Sequence, residues 1–540
     1  ARLERRLYEV TDRVWCMVGN GLSNQTFVEG PDGLIAIDTG ESVEEMAEAL
    51  REVRAMTDAR VVAVIYTHYH YCNGTTAVFD EGGARVPVWS HENVEKNLRF
   101  RAAELGPTSG RGVVHQFSML LPEDGPDGIT QVGLGLDYRR AEHAPFTRGY
   151  ERPTDTVTGP TTVAIAGLKV ELVPAPSDAD DNINIFFPDL DLCVNNIAWP
   201  TLFNVFAIRG ESYRDPQVLL AGLDGILAFG PEHLVGAHGP PLSGRTRIEA
   251  AVTDARDAIQ YLWDQTVRGL NRGLSQGELV EFVQLPDRFD RSYLTQQNYG
   301  LVEHHVRQIH IGLVGWFDGF EASLFPVPTA ERCRRLVEGF GGREVVTERA
   351  ATALDGDDLR WALELATWPV RADGGTEAER GLLAAVLRAI GHRTTSANVR
   401  GWCLTRALEL EGSVDVDRYR THRFGRGQVA ATPPEVSIGS LRVLLDPERA
   451  DGVDDHLRWR IAGGSGETVC GLRMRNQVAV PTDGAAAELE LAMDCDALAD
   501  VLSGRVTLSE AVAEGTVEVG GDPDRVGRIL ACFEVPSLAG

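Results

Sequence analysis

VVAVIYTHYHYCNG, residues 61–74, sets two histidines directly beyond a run of aliphatic and β-branched side chains. The run VVAVIYT (61–67) shows no polar alternation, the mark of a strand covered on both faces. His68 and His70 stand at i and i+2 in the turn leaving that strand, where both can face one cation. Neutral imidazole is the commonest metal ligand near neutral pH. Ligands of α/β sheets bind at the carboxyl ends of strands, which is where this pair sits. Two solvated loop histidines are the plainer alternative, because HxH is a short pattern.

Outward from this stretch, the first 240 residues alternate strand and helix signals. NQTFVEG (24–30) and GLIAIDTG (33–40) are short β-rich runs closed by Gly, Asn and Asp. ESVEEMAEALREVRAM (41–56) has helical periodicity with acids in its first turn. TTVAIAGLKVELVPA (161–175), INIFFPD (183–189), LDLCVNN (190–196) and PEHLVGAH (231–238) continue the strand pattern. Two sheets packed face to face with helices outside are expected. From about residue 246 amphipathic helices take over, beginning with RIEAAVTDARDAIQYLWDQTVRGLNRGL (247–274). Past about 412 strands return, predicted in SIGSLRVLLD (437–446), LRWRIAGG (457–464), TVCGLRMRNQVAV (468–480) and AAELELAMDC (486–495). The expected parts are therefore 1–245, 246–411 and 412–540, the last a small α+β module.

Composition narrows the function. The chain has 540 residues, with 79 acids against 52 lysines and arginines and a net charge of -27. Such a surface repels phosphate backbones and anionic lipid, so nucleic-acid and membrane-surface partners are not expected. No run approaches the ~20 apolar residues of a membrane span. The eight cysteines form no CxxC pair and are too sparse for a disulfide scaffold. ARLERRLYEV (1–10) lacks the apolar core of a secretory leader. A reducing, cytoplasmic setting is expected.

GLSNQTFVEGPDGLIAIDTG (21–40) and VVAVIYTHYHYCNG resemble the opening of the metallo-β-lactamase fold, in its alkylsulfatase-type branch. The resemblance continues through INIFFPD, NVFAIRGESYRD (204–215), LVGAHGP (234–240), YLWDQTVRGLNRGLS (261–275) and VGWFDGFEASLFPVP (314–328). It implies an α/β fold with three parts: a metal-binding αββα sandwich, a helical dimerisation domain and a C-terminal sterol-carrier-like α+β domain. It also implies a homodimer. The C-terminal part would offer an apolar groove for a lipid-like tail or serve structure alone.

The resemblance further implies ligands, and here the chain departs from it. Alkylsulfatases carry HxHxDH in this turn and hold two zinc ions. Here Cys72 stands at the Asp and Asn73 at the last His. The family's first Glu falls on Asp178, with Asp180 and Asp181 close by; its bridging Glu falls on Asn196, and its late His on His238. The first metal's set persists as His68, His70 and Asp178, while two of the second metal's three ligands are gone. Cys72 could coordinate as a thiolate or be a buried thiol with no such role. One divalent ion, Zn or Fe(II), is expected.

Arg209 aligns with the family's sulfate-contacting Arg, and its planar fork suits sulfate, phosphate or carboxylate. Pairing with Glu211 or Asp215 is the structural alternative. Asn204 and Trp199 are expected to contact substrate, with Trp199 and Phe203 making the site more apolar than in the family. Tyr69 is a catalytic candidate beside Asp178 and Arg209; Tyr69 and Tyr71 line the pocket or hydrogen-bond a bound group. Asp38 is expected to orient a ligand His rather than bind metal. His304 and His305 are expected to make polar contacts at a domain boundary.

Three functions follow. A mononuclear metal-dependent hydrolase of a sulfate or other ester is favoured by the resemblance, zinc lowering the pKa of bound water toward ~7. Two histidines and a carboxylate also form the facial set of non-haem Fe(II) oxidoreductases. A catalytically inactive small-molecule binder is the third. The substrate is expected to be small and either anionic or amphiphilic.

Overall fold

The structure is a computed structural model and describes residues 4–419, 422–463 and 466–539. It separates into two compact units, one of residues 1–97 and 111–416 and one of residues 98–110 and 417–540.

The first unit is built on two sheets. Seven strands form one, in chain order: β1 (Arg6–Thr11), β2 (Val14–Val18), β3 (Gln25–Gly30), β4 (Gly33–Ile37), β5 (Val61–Ile65), β6 (Val88–His91) and β7 (Asp155–Val157). The first four are antiparallel neighbours, and β4 to β7 pair in parallel. The second sheet runs β13 (Leu242–Ser243), β12 (His233–Gly236), β11 (Leu192–Asn195), β10 (Ile183–Phe187), β9 (Leu168–Pro174), β8 (Thr161–Ile165). TTVAIAGLKVELVPA thus makes two strands, turned at Ala166 and Gly167 in the left-handed region.

The sheets face each other across one apolar layer. Val28, Ile35, Ile37 and Ile65 of the first pack with Val170, Leu172, Ile183 and Ile185 of the second. Central β5 has parallel neighbours on both sides and four of its five residues buried, which is why its sequence reads as an unbroken apolar run. Helix α1 (Val43–Val53) starts at Ser42, whose hydroxyl accepts the Glu45 N–H. Helix α2 (Thr75–Gly82) starts after Gly74, where a Cβ would lie 2.1 Å from the Thr39 carbonyl oxygen. Only glycine permits that approach, which ties the histidine turn to the loop after β4.

Amphipathic helices follow, from Arg245–Leu270 to Ala397–Leu410. The earlier ones share a core with the sandwich, Val252, Leu262 and Val306 packing with Leu219 and Leu234, while those from Thr329–Gly339 onward form a separate core that includes Val346, Leu365, Val386 and Leu410.

The second unit holds a five-stranded sheet from Asp455–Gly463, Gly466–Arg475, Val478–Thr482, Leu489–Asp494 and Val517–Gly520. One expectation fails here. SIGSLRVLLD is not a strand: Pro434–Ser440 is an α-helix and Leu441–Leu444 a 3-10 turn. Pro434 at the first helical position presets the backbone dihedral. Ile438, Leu441 and Leu444, three apart, then bury one face, which a two-residue period cannot do.

Candidate metal centre

The turn after β5 places the first donors. His68 is extended, and Tyr69–Tyr71 form a 3-10 turn that brings His70 back beside it. The two imidazoles stand nearly perpendicular, with ring centres 4.9 Å apart. The connection between β9 and β10 brings Asp178 over them. Its Oδ2 is 3.0 Å from His70 Nδ1 and 3.6 Å from His68 Nε2. One donor atom from each of the three lies within 4.8 Å of the others.

The geometry settles which aspartate faces the histidines. Asp180 is on the surface, bonded by Asn93, Lys96 and Asn97. Asp181 is buried and accepts the Tyr69 N–H at 3.1 Å, so it braces the turn.

The tautomer of His68 follows from its neighbours. Asp38 accepts both the N–H and the hydroxyl of Thr67, at 2.8 and 2.7 Å. With its proton committed, Thr67 Oγ1 can only accept from His68 Nδ1, 2.8 Å away. His68 Nε2 therefore carries a lone pair, directed at Asp178. Burial drives the His68 pKa down to about 3, so the ring is neutral. Burial alone would raise Asp178, but the His70 imidazole 3.0 Å away and the Arg214 guanidinium hold it well below the usual carboxylate range. Asp38 orients His68 through Thr67, a residue the sequence reading passed over although its hydroxyl directly precedes the histidine.

These residues fit a cation. His70 Nδ1, 3.0 Å from Asp178 Oδ2, has no partner beyond that carboxylate, and one donor atom each of His68, His70 and Asp178 converges within 4.8 Å. Such a convergence of two imidazole nitrogens and an anionic oxygen is what a metal ion would join. Two nitrogens and one oxygen suit a borderline divalent ion.

Other expected ligands lie elsewhere. The Cys72 thiol donates to the Tyr69 carbonyl at 3.1 Å, is fully buried, and burial raises its pKa well above the ordinary value. Cys72 is not in the donor cluster, because its short side chain is turned onto its own 3-10 turn. His238 is not in it either. Its Nδ1 is 3.0 Å from the Leu22 carbonyl and its Nε2 3.1 Å from the Tyr71 hydroxyl. Asn196, at the end of β11, instead meets the cluster: its Nδ2 is 2.9 Å from Asp178 Oδ1 and 3.3 Å from His68 Nε2.

Beyond the donors lies an aromatic wall. Trp199 packs edge-on against His238, Phe203 and Tyr299. Its Nε1 and both polar atoms of the Asn204 amide are buried without partners. Arg209 is largely enclosed, bonding Glu211 Oε1 at 2.9 Å and the Tyr299 hydroxyl at 3.1 Å. The expected pairing with Glu211 is present, and the pairing with Asp215 is not, since Asp215 caps the helix Pro216–Phe229. The Tyr69 ring lies 4.0 Å from that of His70. His305 is fully buried and accepts the Phe206 N–H through Nδ1. His304 stacks edge-on with Phe206.

Two apposed sheets flanked by helices, with a His-rich turn after a central strand, define a metallo-β-lactamase fold. Family comparison agrees and goes further. The metallo-beta-lactamase superfamily model matches residues 18–71, the alkyl sulfatase dimerisation model residues 275–413 and the alkyl sulfatase C-terminal model residues 425–539. A linear primary-alkylsulfatase of Pseudomonas sp. (strain ATCC 19151) is 34% identical over 525 residues, covering 94% of this chain and 98% of that one. An (R)-specific secondary-alkylsulfatase of Pseudomonas sp is 26% identical, covering 98% and 80%. The solved stereoselective inverting sec-alkylsulfatase Pisa1 from Pseudomonas sp. superposes with a TM-score of 0.86 at 24% identity, over 98% of this chain and 84% of that one. The chain belongs to the alkylsulfatase family.

Proposed function

We propose that this protein is a metal-dependent hydrolase of a small organic sulfate ester, working with one divalent ion, zinc, held by His68, His70 and Asp178. The observation that carries this is the convergence of three donor atoms within 4.8 Å in a chain of the alkylsulfatase family. Bound there, such an ion supplies Lewis acidity and lowers the pKa of water near it.

The remaining steps belong to side chains. Thr67 and Asp38 keep the His68 Nε2 lone pair aimed at the donor cluster. Asn204 is assigned to donate its buried, unpartnered Nδ2–H to an oxyanion or ester oxygen. Arg209 provides the fixed positive charge that favours an anionic head, with Glu211 and Tyr299 holding its guanidinium in place. Trp199 and Phe203 exclude water and give an alkyl portion an apolar wall. Tyr69 packs on His70 and limits that ring's rotation. The same three donors match the facial set of the iron oxidoreductase alternative, so the hydrolase reading rests on the family and not on the donor geometry.

The helical part, 246–411, is proposed to dimerise. Ile311, Val314, Trp316, Phe320, Leu324 and Phe325 expose apolar surface in one segment of it, Phe325 at 92%. No helix among the described residues is long and apolar enough to cross a membrane.

The direct test is sulfate release, followed by ion chromatography, from a linear primary alkyl sulfate before and after metal depletion. Release that stops on depletion and returns with added zinc supports the proposal. Release unaffected by depletion, or none from any alkyl sulfate with the ion bound, would reject it.

A further inference from the structure

We infer that Tyr71 closes the second cation position of this site by holding His238 away from metal, so that His238 is not a ligand. This rests on the proposed binding of one ion by His68, His70 and Asp178.

Both nitrogens of His238 are taken by protein. The Leu22 carbonyl, 3.0 Å from Nδ1, can only accept, so Nδ1 carries the proton. Nε2 is then an acceptor, and the Tyr71 hydroxyl at 3.1 Å must donate to it. An O–H proton thus sits on the lone pair a second cation would need. The phenol ring reinforces the block. It stands edge-on to His68, with centres 4.9 Å apart, and edge-on to His238 at 5.3 Å, so it lies between the donor cluster and the late histidine. Turning His238 toward an ion would leave a buried hydroxyl without its acceptor, an unfavourable exchange.

The surrounding turn supplies no replacement donor. Its Cys72 sulfur is spent on the Tyr69 carbonyl. At position 196 an amide stands against Asp178, a neutral group that donates to the carboxylate where a second carboxylate could bridge two ions. The backbone fixes the phenol's position from the other side. The Tyr71 carbonyl accepts the Thr39 N–H at 2.7 Å, joining this turn to the loop after β4.

The experiment is a Co(II) titration of metal-depleted full-length protein, read by visible absorption and by elemental analysis after desalting. Wild type is expected to bind one ion per chain. His238→Ala should bind one ion with a dissociation constant within about fivefold of wild type, whereas His70→Ala should weaken binding by more than about 100-fold, beyond the range typical of residues outside the ligand set. A His238→Ala loss matching that of His70→Ala, or two ions in wild type, overturns the inference while leaving the metal-dependent reading standing. No ion in wild type would remove that reading and the inference with it. A second comparison isolates Tyr71. Cys72→Asp/Asn73→His adds a carboxylate and an imidazole to the turn; it should still bind one ion with Tyr71 present and two when Tyr71→Ala is added. Two ions with Tyr71 in place, or one in both proteins, would contradict the assignment to Tyr71.

Discussion

Thr67 Oγ1 lies 2.7 Å from Asp38 Oδ2 and 2.8 Å from His68 Nδ1, so one hydroxyl couples a buried carboxylate to the tautomer of an imidazole in the donor cluster. Thr67→Val keeps the shape and removes the hydroxyl. Metal affinity should fall by about 10–100-fold, the usual consequence of losing a group that orients a ligand histidine. Competition against a chromophoric chelator measures it. Unchanged affinity would show that His68 needs no such support.

Asn196→Asp tests the neutral amide beside Asp178. The change removes a 2.9 Å donor and sets a second carboxylate in its place. Metal-depleted protein should lose about 1–3 kcal/mol through the lost hydrogen bond and the new repulsion. Added zinc should restore more melting temperature to the variant than to wild type. Calorimetry with and without the ion gives both numbers.

Arg209→Lys keeps the charge but not the fork that reaches Glu211 and Tyr299 together. If Arg209 receives the anionic head, KM for an alkyl sulfate should rise by about tenfold or more, since one charge-assisted bond is worth ~1.5–3 kcal/mol. An uncharged ester hydrolysed by the same site should show no comparable rise. Equal effects on both substrates would assign Arg209 to structure.

Much of this architecture is legible in the residues, and the failures have physical causes. The β5 run and the two histidines after it are readable because a strand with parallel neighbours on both sides must be apolar throughout. The choice among Asp178, Asp180 and Asp181 is not, since a loop has no period to say which carboxylate turns inward. Cys72 is a ligand candidate by residue type and His238 through the resemblance; what neither shows is that their donor atoms bond the Tyr69 carbonyl and the Tyr71 hydroxyl. Tyr71 itself reads as a residue that lines the pocket or bonds a bound group, because its bond to a histidine 167 positions away exists only once the turn after β5 and the loop after β12, from different sheets, meet. The helix at Pro434–Ser440 reads as strand in the sequence because a short apolar run fits either period.

His305 predicts a pH dependence of stability. Burial lowers its pKa from 6.5 to about 3, and its Nδ1 accepts the Phe206 N–H. The unfolded chain therefore binds a proton between about pH 6.5 and 3 that the folded chain does not. Its contribution is complete above pH 6.5 and is lost as pH falls, with a slope of about 1.4 kcal/mol per pH unit. His305→Gln keeps an acceptor for Phe206 and should flatten the decline in urea-unfolding free energy between pH 6.5 and 4 by about one proton's worth. An unchanged slope would mean that His305 titrates normally.

One divalent ion on His68, His70 and Asp178 is proposed to drive the cleavage of a sulfate ester. Asp178→Asn leaves the shape and removes the only carboxylate in that donor set. Ion content and inorganic sulfate production measured on the same preparations should fall together, from about one ion per chain to a trace, with turnover down by at least ~1000-fold, the scale on which losing a principal charge-stabilising group acts. A variant that still frees sulfate at the wild-type rate, or that keeps its ion in full, would contradict it.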